Sequence, residues 1–233
     1  MNKEGILSKI EEFKKEEKKF LPEPIADQIV ASYNISTPSA FVARNTEEAV
    51  KYSRKLGFPV VMKVISPQII HKSEAGGVIA SISGEKKVKD SFRKIVENAR
   101  KYDPEAEIEG IYVQKMAPPG REVIIGAVKD KQFGPVIMFG LGGIFVEVFK
   151  DVVFRAAPLD KEGALEMIYE IKGLPILQGV RGEKSVDFDS LSEAINSVSR
   201  LVVDFPQIGQ LDINPLRLYP EEIYALDTRI ILE

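Results

Sequence analysis

The sequence has no cysteine, one histidine and no apolar run long enough to cross a membrane. Each shortage excludes something. Without thiols there are no disulfides, no thiol nucleophile and no cysteine-based zinc site. One histidine, His71, excludes a multi-histidine metal centre. The first twenty residues, MNKEGILSKIEEFKKEEKKF, are charged throughout and lack the apolar core of a secretion signal, so a cytoplasmic protein with no membrane partner is expected. Two common phosphate loops are missing as well. Gly140-Leu-Gly-Gly143 has Phe145 where the dinucleotide fingerprint needs its third glycine, and no Gly-Lys-Ser/Thr follows to make a Walker A loop. A tight turn between strands is the plain alternative for that motif. Nor does one sign of charge dominate: the net charge is −3 with both signs interspersed, which gives no footprint for nucleic acid. Internal repeats and low-complexity tracts are absent.

What is there is a chain of 233 residues, 44% hydrophobic and 29% charged, enough for one large domain or two small ones. Ile6, Leu7, Ile10 and Phe13 fall at helical spacing among lysines and glutamates, predicting a helix over 3–19 with a narrow apolar stripe. Leu21-Pro-Glu-Pro24 breaks it, and a second helix follows over about 24–33. A turn and short strand are expected over Asn34–Ala43. Asn45 with Glu48 reads as a capping box, and Gly57 as the stop of that helix. Strands are expected at Pro59–Ile65 and Gly77–Ile82, then a strongly amphipathic helix over 86–102. The middle is strand-rich: Ile108–Met116, Arg121–Lys129, Pro135–Phe139, Phe145–Phe149 and Val152–Ala156. Helices at 161–171 and 188–203 precede a hairpin, Gln210–Leu218 and Ile223–Leu232, turning at Tyr219-Pro220-Glu221. Asp103-Pro104 marks the expected seam. The predicted organisation is an N-terminal helical extension (1–20), a first α/β subdomain (21–106) and a second (107–233).

The chemistry-bearing residues concentrate at two places. In FPVVMKVISPQIIHKSEAGGVIASI, residues 58–82, Lys63 sits in an apolar strand, where lysine is rarely buried without a partner. A snorkelling strand-edge lysine is one reading; a point cation for a phosphate is the other. His71 follows on a loop beside Lys72 and Glu74, just before Gly76 and Gly77. A lone histidine is often structural, but a loop setting suits a transient nucleophile whose free base exists near neutral pH. At the C-terminal end, Asp212 and Asn214 are two apart on a strand and share a face. Asp227 on the next strand lies opposite one or the other. Three hard oxygen ligands on one side of two strands suit Mg²⁺, and a solvated sheet face is the alternative.

In order and spacing, four blocks resemble an ATP-grasp nucleotide-binding domain of α/β (α+β) class, two α/β subdomains with nucleotide between them. They are VVMKVISPQIIHKSEAGGV, IYVQKMAPPGREVIIGAVKD, FGPVIMFGLGGIFVEVFKDVVFRAAPL and LDINPLRL with YALDTRIIL. The chain is most similar to the β subunits of ADP-forming acetate–CoA ligases, relatives of succinyl-CoA synthetase. That resemblance implies roles by position. Lys63 contacts nucleotide phosphates. Gln114, Lys115 and Met116 present backbone to the adenine edge, and Glu122 holds the ribose hydroxyls. Asp212, Asn214 and Asp227 bind Mg²⁺. His71 relays a phosphoryl group to ADP, and Glu147 lines the site. It also implies a ligase active only with an α subunit carrying CoA-binding and phosphohistidine domains, assembled as α2β2, and the reaction acetyl-CoA + ADP + phosphate ⇌ acetate + CoA + ATP. Two other readings remain at this point: an ATP-grasp carboxylate ligase of another substrate class, which needs no histidine, and a non-catalytic nucleotide-sensing subunit. The acyl group and the choice of ADP or GDP are not fixed by these residues.

Overall fold

The computed structural model describes residues 1–143, 150–180 and 182–233. The expected strand Phe145–Phe149 and Glu147 lie outside the described residues. The chain forms two compact units, one of Pro38–Pro118 and one of Met1–Thr37 with Pro119–Glu233. Each has its own core. Among the described residues no helix is long and apolar enough to cross a membrane.

The smaller unit is a four-stranded antiparallel sheet under two helices. Its strands are β2 (Ala40–Ala43), β3 (Val60–Ile65), β4 (Val78–Ile82) and β5 (Gly110–Lys115), in the order β2-β5-β3-β4. Helix α3 (Thr46–Leu56) begins as its sequence signature requires. The Asn45 side chain accepts the Glu48 N–H at 2.8 Å, and Glu48 reaches back to the N–H of Arg44 at 2.8 Å. Helix α4 (Glu85–Tyr102) buries Val88, Ile95 and Ala99 on one stripe. These meet Val60, Met62, Val64, Ile111 and Val113 from the two central strands in one apolar cluster. Asp103 caps α4 rather than marking the domain seam. The strand after it, β5, hydrogen-bonds to both β2 and β3. Its four residues Ile111–Gln114 are all buried, so it cannot leave the sheet it completes. The boundary therefore falls near residue 118, not 103–107.

The larger unit contains α1 (Lys3–Lys15), β1 (Phe20–Leu21), α2 (Glu23–Ala31), β6 (Arg121–Asp130), β7 (Gly134–Leu141), β8 (Val152–Ala156), α5 (Lys161–Glu170), α6 (Leu174–Gln178), α7 (Phe188–Asp204), β9 (Ile208–Leu218), β10 (Ile223–Ala225) and β11 (Thr228–Leu232). Its antiparallel sheet runs β1-β11-β9-β6-β7-β8, with β10 also on β9. The first helix is no extension. Ile6, Ile10 and Phe13 are buried in the same cluster as Val123, Ile125, Phe139 and Ile230. The two-residue strand β1, which sequence patterning did not predict, pairs Phe20 with Ile231 at the sheet edge. Residues 1–37 thus belong with 119–233, and the expected division at residue 21 does not occur. The reason is that α1 and α2 are amphipathic and must bury their stripes; the core that receives them comes from the C-terminal half.

Lys3 pairs with Asp204 at 2.6 Å, and the Tyr33 hydroxyl donates to the same carboxylate. The ammonium of Lys3, then the Tyr33 hydroxyl, hold the Asp204 carboxyl below its usual range. Exposed pairs of this kind stabilise little, so burial decides how firmly α1 is held. Ile10→Ala is expected to lower the unfolding free energy by about 2–5 kcal/mol, the range for emptying a packed core site. Leu7→Ala, on the exposed side of the same helix, is expected to change it by less than about 0.5 kcal/mol. Urea denaturation of the two variants checks this; equal small effects would return α1 to the status of an extension.

Candidate nucleotide site

In the smaller unit the residues from 58 to 82 form β3, a hydrogen-bonded turn and β4. Lys63 lies within β3, between Val78 of β4 and Tyr112 of β5, and is only 5% exposed. A buried ammonium on a central strand is not a snorkelling side chain. Beyond β3, Ile69 and Ala75 are buried in the small core and pin both ends of the loop, while His71 and Glu74 are exposed. Residues 71–77 make one helical turn with a glycine cap. The Ala75 N–H donates to His71 O at 3.2 Å, Gly76 N–H to Ser73 O at 3.0 Å and Gly77 N–H to Lys72 O at 2.7 Å. The last two bonds, with Gly76 left-handed at φ +60, are the pattern that closes a helix C-terminus. Neither glycine tolerates a side chain. A Cβ on Gly76 would lie 2.7 Å from Asn98 Nδ2, and one on Gly77 2.5 Å from Val64 Cγ1. Asn98 donates to Gly76 O at 2.8 Å, and Gly77 O accepts from Val64 N at 2.8 Å. The imidazole is therefore displayed on a turn that is bonded to α4 and to the strand carrying Lys63.

The segment Gln114-Lys115-Met116 closes β5. Gln114 is 2% exposed and its Nε2 has no hydrogen-bond partner. The N–H of Lys115 donates to Ser39 O at 2.9 Å and that of Met116 to Pro59 O at 3.2 Å, while Lys115 Nζ donates to Gly57 O at 3.1 Å. The chain leaves this unit two residues later.

In the larger unit the sheet face turned away from the core carries the acids. Burial alternates along β9, with Leu211 and Ile213 inward, then Leu216 and Leu218. The change of phase is a bulge: Val123 faces Leu216 and Ile125 faces Ile213, so Asn214 and Pro215 together oppose Ile124. Asp212 and Asn214 point outward, and the Asn214 N–H donates to Asp227 O at 3.0 Å. Asp212 and Asn214 therefore share the outer face of β9, while Asp227 lies in the bend between β10 and β11, which interrupts the strand expected over Ile223–Leu232, near enough for its charge to act on Asp212. Gly126 lies across the ladder from Asp212; a Cβ there would sit 3.6 Å from Asp212 Oδ1. Burial, with the Asp227 carboxylate adding to it, pushes the Asp212 carboxyl up, and Arg229 opposes the shift. Arg229 donates to Asp212 Oδ2 at 3.0 Å. Further along the face, Arg217 pairs with Glu122 across the β6–β9 ladder.

These two arginines were missed by sequence reasoning, although the hairpin register contains the signal: counting back from its turn sets Arg229 opposite Asp212. Glu122, Asp212, Asn214 and Asp227 lie in the larger unit, and Lys63, His71, Gln114, Lys115 and Met116 in the smaller. Among the described residues no three His, Cys, Asp or Glu side chains cluster, and the acidic face offers two carboxylates and an amide. That donor set suits Mg²⁺, which takes one or two carboxylates and keeps its remaining sites for water and phosphate.

A family model described as an ATP-grasp domain matches residues 12–232. The chain belongs to the ATP-grasp family. It is 50% identical over 232 residues to the β subunit of ADP-forming acetate–CoA ligase I of Pyrococcus furiosus, covering 100% of both chains. It is 47% identical over 216 residues to the ADP-forming 4-hydroxybutyrate–CoA ligase of Nitrosopumilus maritimus, of which it spans 31%. Among solved structures it is similar to the dinucleotide-forming acetyl-coenzyme A synthetase 1 of Candidatus Korarchaeum cryptofilum. The form with coenzyme A and Ca-AMPCP gives TM-score 0.93 and 45% identity over 95% of this chain and 97% of that one. A further form of that enzyme holds Mg-AMPPCP with its phosphohistidine segment pointing towards the nucleotide-binding site. The mixed α/β ATP-grasp architecture expected from the sequence is the one observed.

The direction of the Asp212 shift makes a signed prediction. A carboxyl whose folded pKa is raised costs the native state stability once pH passes the unfolded value near 4. In the absence of divalent cations, the unfolding free energy of Asp212→Asn relative to the native sequence is expected to move in the variant's favour as pH rises above about 4. Chemical denaturation across that range checks it; a flat difference would contradict the raised value.

Proposed function

We propose that this chain is the β subunit of an ADP-forming acyl-CoA ligase. It holds Mg-ADP or Mg-ATP and passes a phosphoryl group between His71 and the nucleotide in acetyl-CoA + ADP + phosphate ⇌ acetate + CoA + ATP. The observation that carries the reading is the end-to-end match to an acetate–CoA ligase β subunit. The partner is an α subunit that supplies CoA binding and its own phosphohistidine, and α2β2 is the expected assembly. Acyl choice belongs to that partner. Identities of 50% to an acetate ligase subunit and 47% to a 4-hydroxybutyrate ligase support placing acyl choice outside this chain.

Each role rests on chemistry already described. Lys63, a buried point cation, faces nucleotide phosphates. Gln114, with an unpaired buried amide nitrogen, has hydrogen-bonding capacity left for the adenine edge, and Lys115 and Met116 continue that edge. Glu122 takes the ribose hydroxyls. Asp212, Asn214 and Asp227 hold Mg²⁺, which neutralises charge on the phosphate oxygens. His71 receives the phosphoryl group on a ring nitrogen and gives it to ADP: the N–P bond breaks, an O–P bond to the β-phosphate forms, and the ring nitrogen takes up a proton. Glu74, Gly76 and Gly77 frame the turn that presents it. Little covalent work is left to the protein, so positioning and electrostatics carry the rate.

Two measurements on the assembled enzyme test this. His71→Asn is expected to keep ADP affinity within about threefold while reducing ATP formation at least about 10³-fold, the cost of losing a nucleophile. Full turnover by that variant would sink the relay. Asp212→Ala is expected to weaken Mg-ADP binding by at least about tenfold, or roughly 1.4 kcal/mol, read by titration calorimetry with and without Mg²⁺. An unchanged affinity counts against the metal assignment.

A further inference from the structure

The motif Gly140–Gly143, the end of β7 and the two residues after it, is the one that the nucleotide reading leaves without a task. Its surroundings in the larger unit are tightly built. On one side the Gly142 N–H donates to Glu122 O at 2.8 Å, and a Cβ on Gly142 would lie 3.1 Å from Glu122 Cβ. On the other side Gly140 passes under Asp151, where a Cβ would lie 2.5 Å from Asp151 O. Asp151 is 8% exposed, and each carboxylate oxygen is used: Oδ1 accepts the Lys172 N–H at 2.8 Å and Oδ2 the Gly173 N–H at 2.7 Å. Gly173 is wedged in turn, for a Cβ there would lie 2.0 Å from Leu141 Cδ1 and 3.1 Å from Asp151 Oδ2.

One buried carboxylate therefore ties the start of β8 to the α5–α6 joint, and that joint presses on the end of β7. Burying a carboxylate is costly unless it is fully hydrogen-bonded. Charge-assisted bonds to both oxygens offset that cost and fix its orientation. The glycines let the backbone come this close.

We propose that Asp151 is a positioning residue of the nucleotide site. It fixes the Gly140–Gly143 segment at the end of β7 against the strand of Glu122, so that Glu122 keeps one geometry towards bound nucleotide. Asp151 itself touches no substrate; it acts through that segment. The inference rests on the assignment of Glu122 to the nucleotide.

The test uses the assembled enzyme and reads ADP affinity, KM for ADP, KM for acetyl-CoA and melting temperature. The variants are Asp151→Asn, which replaces one acceptor by a donor facing an N–H, and Asp151→Glu, which keeps the charge but lengthens the arm. Val198→Ala, emptying a buried site in α7, is the stability control. Both Asp151 variants are expected to weaken ADP binding and raise KM for ADP by about tenfold or more, with KM for acetyl-CoA unchanged. A shift on the order of 1 Å in a positioned group is enough for such losses. Val198→Ala is expected to lower the melting temperature at least as much while ADP affinity stays within about twofold of the native enzyme. Asp151 variants that lose thermal stability yet bind ADP normally would overturn the proposal, as would a Val198→Ala variant that loses ADP affinity equally. Glu122→Ala separates the two levels. If it weakens ADP binding while the Asp151 variants do not, the positioning role alone fails; if it leaves ADP affinity unchanged, the nucleotide assignment of Glu122 and this inference fail together.

Discussion

The bulge in β9 is the constraint on which the acidic face depends. A strand buried on one side must alternate inward and outward residues, and one extra residue reverses the assignment for everything beyond it. In β9 that reversal falls at Asn214-Pro215, opposite the single residue Ile124. Before it, Leu211 and Ile213 fill the core and Asp212 faces out; after it, Leu216 and Leu218 fill the core and Arg217 faces out. Proline has no N–H to give to a ladder, so the interruption is set where the sequence can accept it. The result is a face that carries Asp212 and Asn214, with the Asp227 backbone bonded to Asn214, while both flanking stretches of the strand remain anchored in the core.

The smaller unit solves a different problem, displaying a polar group without loosening its mounting. His71 is exposed, yet the turn beneath it is closed by backbone bonds and by Asn98, and its ends are buried. An exposed loop is ordinarily mobile because few contacts restrain it. Here the restraint comes from backbone pairing and from two glycines that admit no side chain, so the imidazole keeps its exposure while the frame stays fixed. Lys63 is the complement: charged, but held inside the sheet.

The helices and most strands were legible from periodicity, because α4 and α7 bury apolar stripes and β3 and β6 are rich in β-branched residues. The capping of α3 and the turn at Gly76 were legible from local chemistry. What sequence reasoning misplaced is the domain seam, since local signals such as Asp103-Pro104 report where a helix stops, not which sheet the next strand joins. It also treated α1 as an appendage, because the cluster that holds Ile6 and Ile10 is completed by residues more than a hundred positions away. The short strand β1 and helix α6 carry too few residues to show a period. The acids of the candidate site stood out as polar residues on apolar strands, whereas Arg217, Arg229 and Asp151 did not, their roles residing in pairings across the fold.

Within the proposed function, the exposure of His71 bears on why the chain would act with a partner. A phosphoryl group on a solvent-facing imidazole is open to water as well as to ADP, and a relay is useful only if transfer outruns hydrolysis. Water exclusion must then come from whatever covers the turn during transfer. Within the reading proposed above, that cover is the partner bringing the phosphoryl group, so donor and shield arrive together. A fixed frame beneath the imidazole favours this arrangement, because a docking surface that does not reorganise loses little conformational entropy when it is covered.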